Sequence, residues 1–180
     1  MSRPDDTEMV RESLNGNRKA FEALLARYEK PVFNAAYRML NNVEDARDVT
    51  QTVFLKAYEN LDRFDPKYRF FSWIYRIALN ESIDCMKSQN RTDSLAEEPA
   101  TETRGPEDET SRDQQSRQIQ SALMMIKTEY RTVIVLKHFL DCNYLEISQI
   151  LEIPEGKVKS RLYTGRQLLK ETLQGMRQNQ

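Results

Sequence analysis

From Phe21 the apolar positions fall at Phe21, Leu24, Leu25, Tyr28, Val32, Ala36, Tyr37 and Leu40. These are helical spacings, and their phase runs through Pro31 without a break. A proline inside a helix removes one backbone bond, so the pattern predicts a kink there rather than an end. Asn42 is a candidate N-cap for a second helix, whose shared face is Val43, Ala46, Val49, Val53, Phe54, Ala57 and Tyr58. A short connection, 61–67, leads to a third helix expected from about Tyr68 to Gln89.

Further on, Ile119, Ala122, Leu123 and Ile126 mark one helix, and Tyr130, Val133, Ile134, Leu136 and Phe139 another. Asp141-Cys142-Asn143 breaks the pattern. Asn143 followed three residues later by Glu146 is a capping pair for a short helix ending near Leu151. Pro154 stands where a first-turn proline is tolerated, ahead of a longer helix to about Leu173. Strand-like alternation bounded by turn signals is missing throughout, so the expected fold class is all-α.

Between the two helical sets, residues 92–113 carry Pro99, Gly105 and Pro106 among Ser and Thr, with Leu95 the one large apolar side chain. Such a stretch buries too little to offset the entropy of ordering, so it reads as a flexible linker. The expected organisation is two small helical domains, 1–91 and 114–180, joined by an acidic linker, 92–113. Charge sharpens that division. The whole chain has a net charge of −1, which looks wrong for a DNA binder. The linker, however, holds Asp93, Glu97, Glu98, Glu102, Glu107, Asp108, Glu109 and Asp113 against Arg104 and Arg112. Taking these eight acids and two bases from the chain's 28 and 27 leaves 20 acidic and 25 basic residues, so the helical parts are mildly basic. The linker's acids can compete with phosphates for a basic helix.

Hydrophobic residues make up 39% of the chain, and its longest purely aliphatic run is Val133–Leu136, far short of a bilayer span. Met1–Asp6 holds Asp5 and Asp6 with no apolar stretch, which argues against a signal peptide and for a cytoplasmic protein. Cys85 and Cys142 share no motif, so they read as idle thiols rather than as metal ligands or a disulfide. His138 is the single histidine, and no nucleophile, phosphate loop or metal cluster accompanies it. No catalytic residue, metal or cofactor is expected, and the chain does not read as an enzyme.

Three segments carry chemistry. Tyr144–Arg161 places a short helix, a turn at Leu151-Glu152-Ile153 and a second helix opening with Pro154, the order of a helix-turn-helix. Leu145, Ile147, Ile150, Ile153 and Val158 supply its seam, Ser148 a close approach, and Lys157, Lys159, Arg161, Arg166 and Lys170 its outer faces. A basic helix N-terminus of this kind suits phosphate contact and major-groove entry. Arg63–Asn80 interleaves aromatics with Lys67, Arg69 and Arg76. Stacking faces beside cations suit single-stranded DNA. Phe70, Ile74, Ile77 and Ala78 also follow helical spacing, so the same aromatics are candidates for a core. Asp48, Gln51, Thr52 and Leu55 fall at i, i+3, i+4 and i+7 of the second helix. That stripe is either a docking face or an ordinary surface with one exposed leucine.

D-A-R-D-V-T-Q-T-V-F-L-K-A-Y (Asp45–Tyr58), F-S-W-I-Y-R-I-A-L-N-E-S-I-D (Phe71–Asp84) and Y-L-E-I-S-Q-I-L-E-I-P-E-G-K-V-K-S-R (Tyr144–Arg161) together resemble the signature segments of extracytoplasmic-function sigma factors of bacterial RNA polymerase. Their order, their spacing and the acidic segment between them match, over about 8–91 and 114–175. The resemblance implies an alternative sigma factor. Its first domain, region 2, would dock on a coiled coil of the polymerase largest subunit and melt the −10 element. Its last, region 4, would read the −35 element and rest on the polymerase flap. An anti-sigma factor is the expected regulator, with no membrane insertion. By position, the resemblance puts Asp48, Gln51, Thr52 and Leu55 against core polymerase. It puts Phe64, Lys67, Tyr68, Arg69 and Phe70 in a loop that captures a flipped base, Trp73 and Asn80 in support of that pocket, and Arg76, Lys87 and Arg91 on phosphates. In region 4 it puts Lys159, Ser160 and Tyr163 near bases and Lys157, Arg161 and Arg166 on the backbone.

The chain departs from the family pattern in places. Cys85–Arg91 is less basic than usual, and Glu81 stands where a neutral or basic residue is more common. Ser148 replaces a common alanine, and Gly165 inside the last helix should cost about 1 kcal/mol relative to alanine. The competing reading is a two-domain regulator with an N-terminal sensor. A sensor has no reason to carry both the aromatic-basic segment and the polar stripe.

Overall fold

The computed structural model describes residues 5–93 and 111–178, with side chains over 5–89 and 114–178. The expected linker falls, across 94–110, outside the described residues. The described residues form eight α-helices and a single 3-10 turn at Leu61–Arg63.

The first half is built from α1 (Asp6–Leu14), α2 (Arg18–Leu40), α3 (Val43–Glu59) and α4 (Phe70–Asp93). Pro31 lies inside α2, which runs on past it. Asn41 takes a left-handed conformation (φ 57°) that ends α2, and Asn42 then caps α3. The Asn42 side-chain oxygen accepts from the Glu44 and Asp45 backbone amides at 2.9 and 3.2 Å. Such a cap satisfies orphan donors and is worth about 1 kcal/mol. Leu24, Val32, Ala36 and Met39 of α2, Ala46, Val53 and Ala57 of α3, and Phe70, Ile74 and Ala78 of α4 fill the core. Periodicity overlooked α1, whose short apolar face is Met9 and Val10. Its Asp6 carboxylate accepts from Arg27 and from the Tyr28 hydroxyl, which ties it to α2. Two residues assigned to the inner face of α3 lie outside: Val43 and Tyr58 are exposed, because they sit at the rims of the buried stripe in the first and last turns.

The second half comprises α5 (Ser111–Met125), α6 (Thr128–His138), α7 (Tyr144–Leu151) and α8 (Glu155–Gln178). Asn143 and Glu146 close the expected capping box. Asn143 Oδ1 accepts from Glu146 N at 2.9 Å, and the Glu146 carboxylate accepts from Asn143 N at 2.8 Å. Glu152 ends α7 in a left-handed conformation (φ 53°). Pro154 stands just ahead of α8, and its carbonyl accepts from the Lys157 and Val158 amides. Ser148 closes the turn by donating to the Ile153 carbonyl at 2.6 Å. Of the expected seam, Ile147, Ile150 and Val158 are buried and Leu162 joins them, whereas Leu145 is exposed.

Gly165 has a packing role. A Cβ there would lie 3.1 Å from Ile134 Cδ1 and 3.3 Å from Tyr130 Cβ, so the missing side chain lets α8 press against α6. The helix-propensity penalty of glycine is offset by that approach.

The two domains pack against each other. α2 and α4 pack on α5, α6 and α7, and the buried side chains form one continuous cluster. Arg131 of α6 is the main staple. It is buried, and its guanidinium is held by backbone carbonyls. Its Nε donates to the Leu123 carbonyl (2.8 Å) and its Nη2 to those of Met124 (2.9 Å) and Ile126 (3.2 Å). Its Nη1 crosses to the Met39 carbonyl at 2.7 Å. Met39 lies in the last turn of α2, Leu123 and Met124 in the last turn of α5 and Ile126 just beyond it, so the guanidinium sits at the negative ends of both helix dipoles. Nearby, Arg38 donates to Gln120 Oε1 at 2.9 Å and lies 4.5 Å over the Phe139 ring.

Candidate nucleic-acid and polymerase interfaces

α8 follows the Glu152 turn directly and buries Val158, Leu162 and Gly165. That phase turns Lys157, Lys159, Ser160, Tyr163 and Arg166 outward, and Tyr163 is 69% exposed. Lys159 Nζ lies 5.6 Å from the Tyr144 ring centre, and Lys137 Nζ lies 5.3 Å from it. Arg166 Nε donates to His138 Nε2 at 3.2 Å. Burial and the Arg166 and Lys137 charges hold the His138 imidazole below its ordinary pKa, in the neutral form that can accept. Arg161 differs from its neighbours. It is half-buried and paired with Glu129 at 2.8 Å, so it is less free than the outer cations.

In the first half, the aromatic-basic segment divides in two. Phe64 and Phe70 are 8% and 2% exposed. Their rings meet each other at 5.6 Å, Trp73 at 5.8 and 5.6 Å, and Phe70 also meets Tyr28 at 5.3 Å. The expectation that these two rings face DNA is corrected: they lie in the core, where burial and edge-to-face packing hold them. Between them Asp65 makes a tight turn, its carboxylate accepting from Lys67 N and its carbonyl from Tyr68 N, each at 3.0 Å. The turn lifts Lys67, Tyr68 and Arg69 into solvent. Trp73, Arg76 and Asn80 follow along one edge of α4, half-buried, half-buried and exposed. Lys87 pairs with Asp84 at 3.1 Å, and the side chain of Arg91 is outside the described residues. The unusual Glu81 is bound by Lys56 of α3 at 2.5 Å, so its charge is matched within the fold.

On α3, Asp48, Gln51 and Leu55 are exposed and Thr52 is half-buried, Leu55 at 59%. Tyr58, one turn further on, extends this patch. Sequence reasoning had placed Tyr58 inside; the signal available was its spacing from Gln51 and Leu55.

Region by region, the chain matches known models: Sigma-70 region 2 over residues 24–92 and Sigma-70 region 4 over 116–169. Similarity extends over whole chains. The ECF RNA polymerase sigma factor SigW of Bacillus subtilis (strain 168) is 33% identical over 180 residues, 93% of this chain and 96% of that one. The chain belongs to the extracytoplasmic-function family of sigma factors. It is thus an alternative sigma factor, a protein of transcription initiation. The ECF RNA polymerase sigma-E factor of Escherichia coli (strain K12) is 27% identical, with 94% of each chain covered. Among solved structures, that of CnrH in complex with the cytosolic domain of CnrY matches with a TM-score of 0.75 and 26% identity, over 94% of this chain and 97% of that one. No helix among the described residues of this sigma factor is long and apolar enough to cross a membrane.

Proposed function

We propose that this sigma factor docks on core RNA polymerase through the α3 stripe and reads promoters with two separate faces. Asp48, Gln51, Thr52 and Leu55, extended by Tyr58, meet the largest-subunit coiled coil, and region 4 rests on the flap. Lys67, Tyr68 and Arg69 hold an extruded base of the −10 element, with Trp73 and Asn80 beside it and Arg76, Lys87 and Arg91 on phosphates. Phe64 and Phe70 support that loop from the core. On α8, Lys159, Ser160 and Tyr163 approach −35 base edges, while Lys157, Arg161 and Arg166 hold the backbone. The observation that carries this reading is the outward ridge of α8, the second helix of a capped helix-turn-helix, since a major-groove helix meets base edges with its N-terminal residues. The protein works by binding, in the cytoplasm, rather than as an enzyme. An anti-sigma factor holds it in reserve; the solved structure of CnrH, which is similar, contains the cytosolic domain of CnrY.

The test is reconstitution with sigma-free core polymerase and run-off transcription from a genomic library. Specific transcripts are expected from the parent protein. Asp48→Ala and Gln51→Ala should weaken core binding with unchanged circular dichroism. Core binding as tight as the parent's in both variants would overturn the docking assignment.

A further inference from the structure

Besides the Arg131 and Arg38 contacts, a second set of bonds between the two halves falls on cations that the proposed −10 face needs. Arg76 Nη1 donates to Glu152 Oε1 at 2.7 Å, and its Nη2 donates to the Gln149 carbonyl at 2.6 Å. Arg69 pairs with Glu146 at 3.2 Å. All three acceptors belong to α7 or to the turn that ends it, the first part of the helix-turn-helix. Glu146 is held in place twice over, because its carboxylate also closes the capping box. A cleft of about 410 Å³ runs along this seam, lined by Arg76 and Asn80 from one half and by Glu129, Glu152 and Arg161 from the other. Arg161, one of the α8 cations, is tied to Glu129 at its edge.

We infer that this is a self-shielding latch: in the free protein α7 and the turn that ends it occupy Arg69 and Arg76 with two carboxylates and a carbonyl, in place of −10 DNA. The inference rests on the −10 assignment proposed above. A guanidinium whose two Nη groups already donate to Glu152 and to a backbone carbonyl has lost the open fork a phosphate would take, and α7 lies over the face that DNA must approach. The latch is weak enough to release. Arg69 and Glu152 are largely solvent-exposed, and ion pairs of that kind contribute little net stability. A partner that binds the separated halves therefore frees Arg69 and Arg76 together, and one that binds the closed form keeps both covered.

The test uses the full chain. Glu146→Gln with Glu152→Gln removes both charges, and glutamine at 146 preserves the capping box. Glu29→Gln with Glu171→Gln makes the same charge change at two exposed positions outside the seam. Affinity for fluorescein-labelled single-stranded DNA of random sequence is measured for each, with small-angle scattering for the radius of gyration. The seam variant should be more extended and bind about three- to tenfold more tightly, since closure lowers the competent fraction. The charge control should bind like the parent. Unchanged affinity in the seam variant, or an equal gain in the control, overturns the latch. Arg69→Ala with Arg76→Ala examines the −10 assignment separately, through run-off transcription by the reconstituted holoenzyme. Undiminished transcription sinks that assignment; reduced transcription together with unchanged affinity in the seam variant sinks the latch alone.

Discussion

Replacing Arg131 by methionine keeps an unbranched apolar stem and removes every donor that Arg131 brings to the junction of α2, α5 and α6. Four carbonyls, those of Met39, Leu123, Met124 and Ile126, then lose a charged partner. A buried acceptor left unpaired costs about 1–3 kcal/mol. Water can reach some of the helix ends once the guanidinium is gone, and the desolvation cost of the cation, which already lowers its pKa, disappears. The net loss is therefore roughly 2–4 kcal/mol, which for a chain of this size lowers Tm by about 5–15 °C. The location of the damage is more diagnostic than its size. Trp73 is the single tryptophan and lies in the first half, whereas far-ultraviolet circular dichroism sees helices in both. In the parent the two signals should lose structure together in urea. In Arg131→Met the dichroism should begin to fall first, as α5 to α8 lose their anchor, with Trp73 fluorescence following at higher urea. Coincident transitions with a midpoint unchanged from the parent would refute Arg131 as the staple between the halves.

Gly165→Val should destabilise by about 1–3 kcal/mol, because its methyl groups meet Ile134 and Tyr130 where even a Cβ is tight; thermal melts check this. Burial pushes the Cys142 thiol up to about 12 from an ordinary 9.0, so a thiol reagent at pH 8 should leave it unmodified until urea unfolds the chain. The sign of the linkage follows: a raised folded pKa contributes stability in full below pH 9 and loses it as pH rises toward 12, the direction in which buried Tyr28 and Tyr75 act as well. Urea midpoints measured from pH 8 upward should fall, and a flat profile would contradict the burial. Lys159→Ala should flatten −35 preference in a binding selection, whereas Arg166→Ala should weaken all sequences alike and lower the salt slope by about one unit. The reverse pattern would mean that α8 is rotated in the groove.

Much of the fold was legible because its signals are local. The apolar phase through Pro31, the Asn42 cap and the Asn143/Glu146 box each involve residues a few positions apart, and each forms as expected. What stayed hidden depends on distant partners. α1 shows only Met9 and Val10 as an inner face, and the carboxylate that fixes it reaches Arg27 and Tyr28 on another helix. Phe64 and Phe70 stood open between stacking platform and core because a sequence does not say which aromatics meet; Trp73 and Tyr28 complete their cluster. Gly165 had no local rationale, and its reason is Ile134 on a neighbouring helix. The seam was the least legible of all. Arg69, Arg76, Glu146 and Glu152 are ordinary surface charges until the two halves are brought together.

Glu152 occupies a backbone conformation that glycine adopts freely and that costs other residues about 1 kcal/mol or more. Substitution by glycine would relieve that strain and, in the same step, delete the carboxylate that holds Arg76. The two effects pull an experimenter in opposite directions. A screen for thermostable variants would favour Glu152→Gly, and its winners would be proteins whose Arg76 is less covered when core polymerase is scarce. At this one position, sturdiness and restraint are traded against each other.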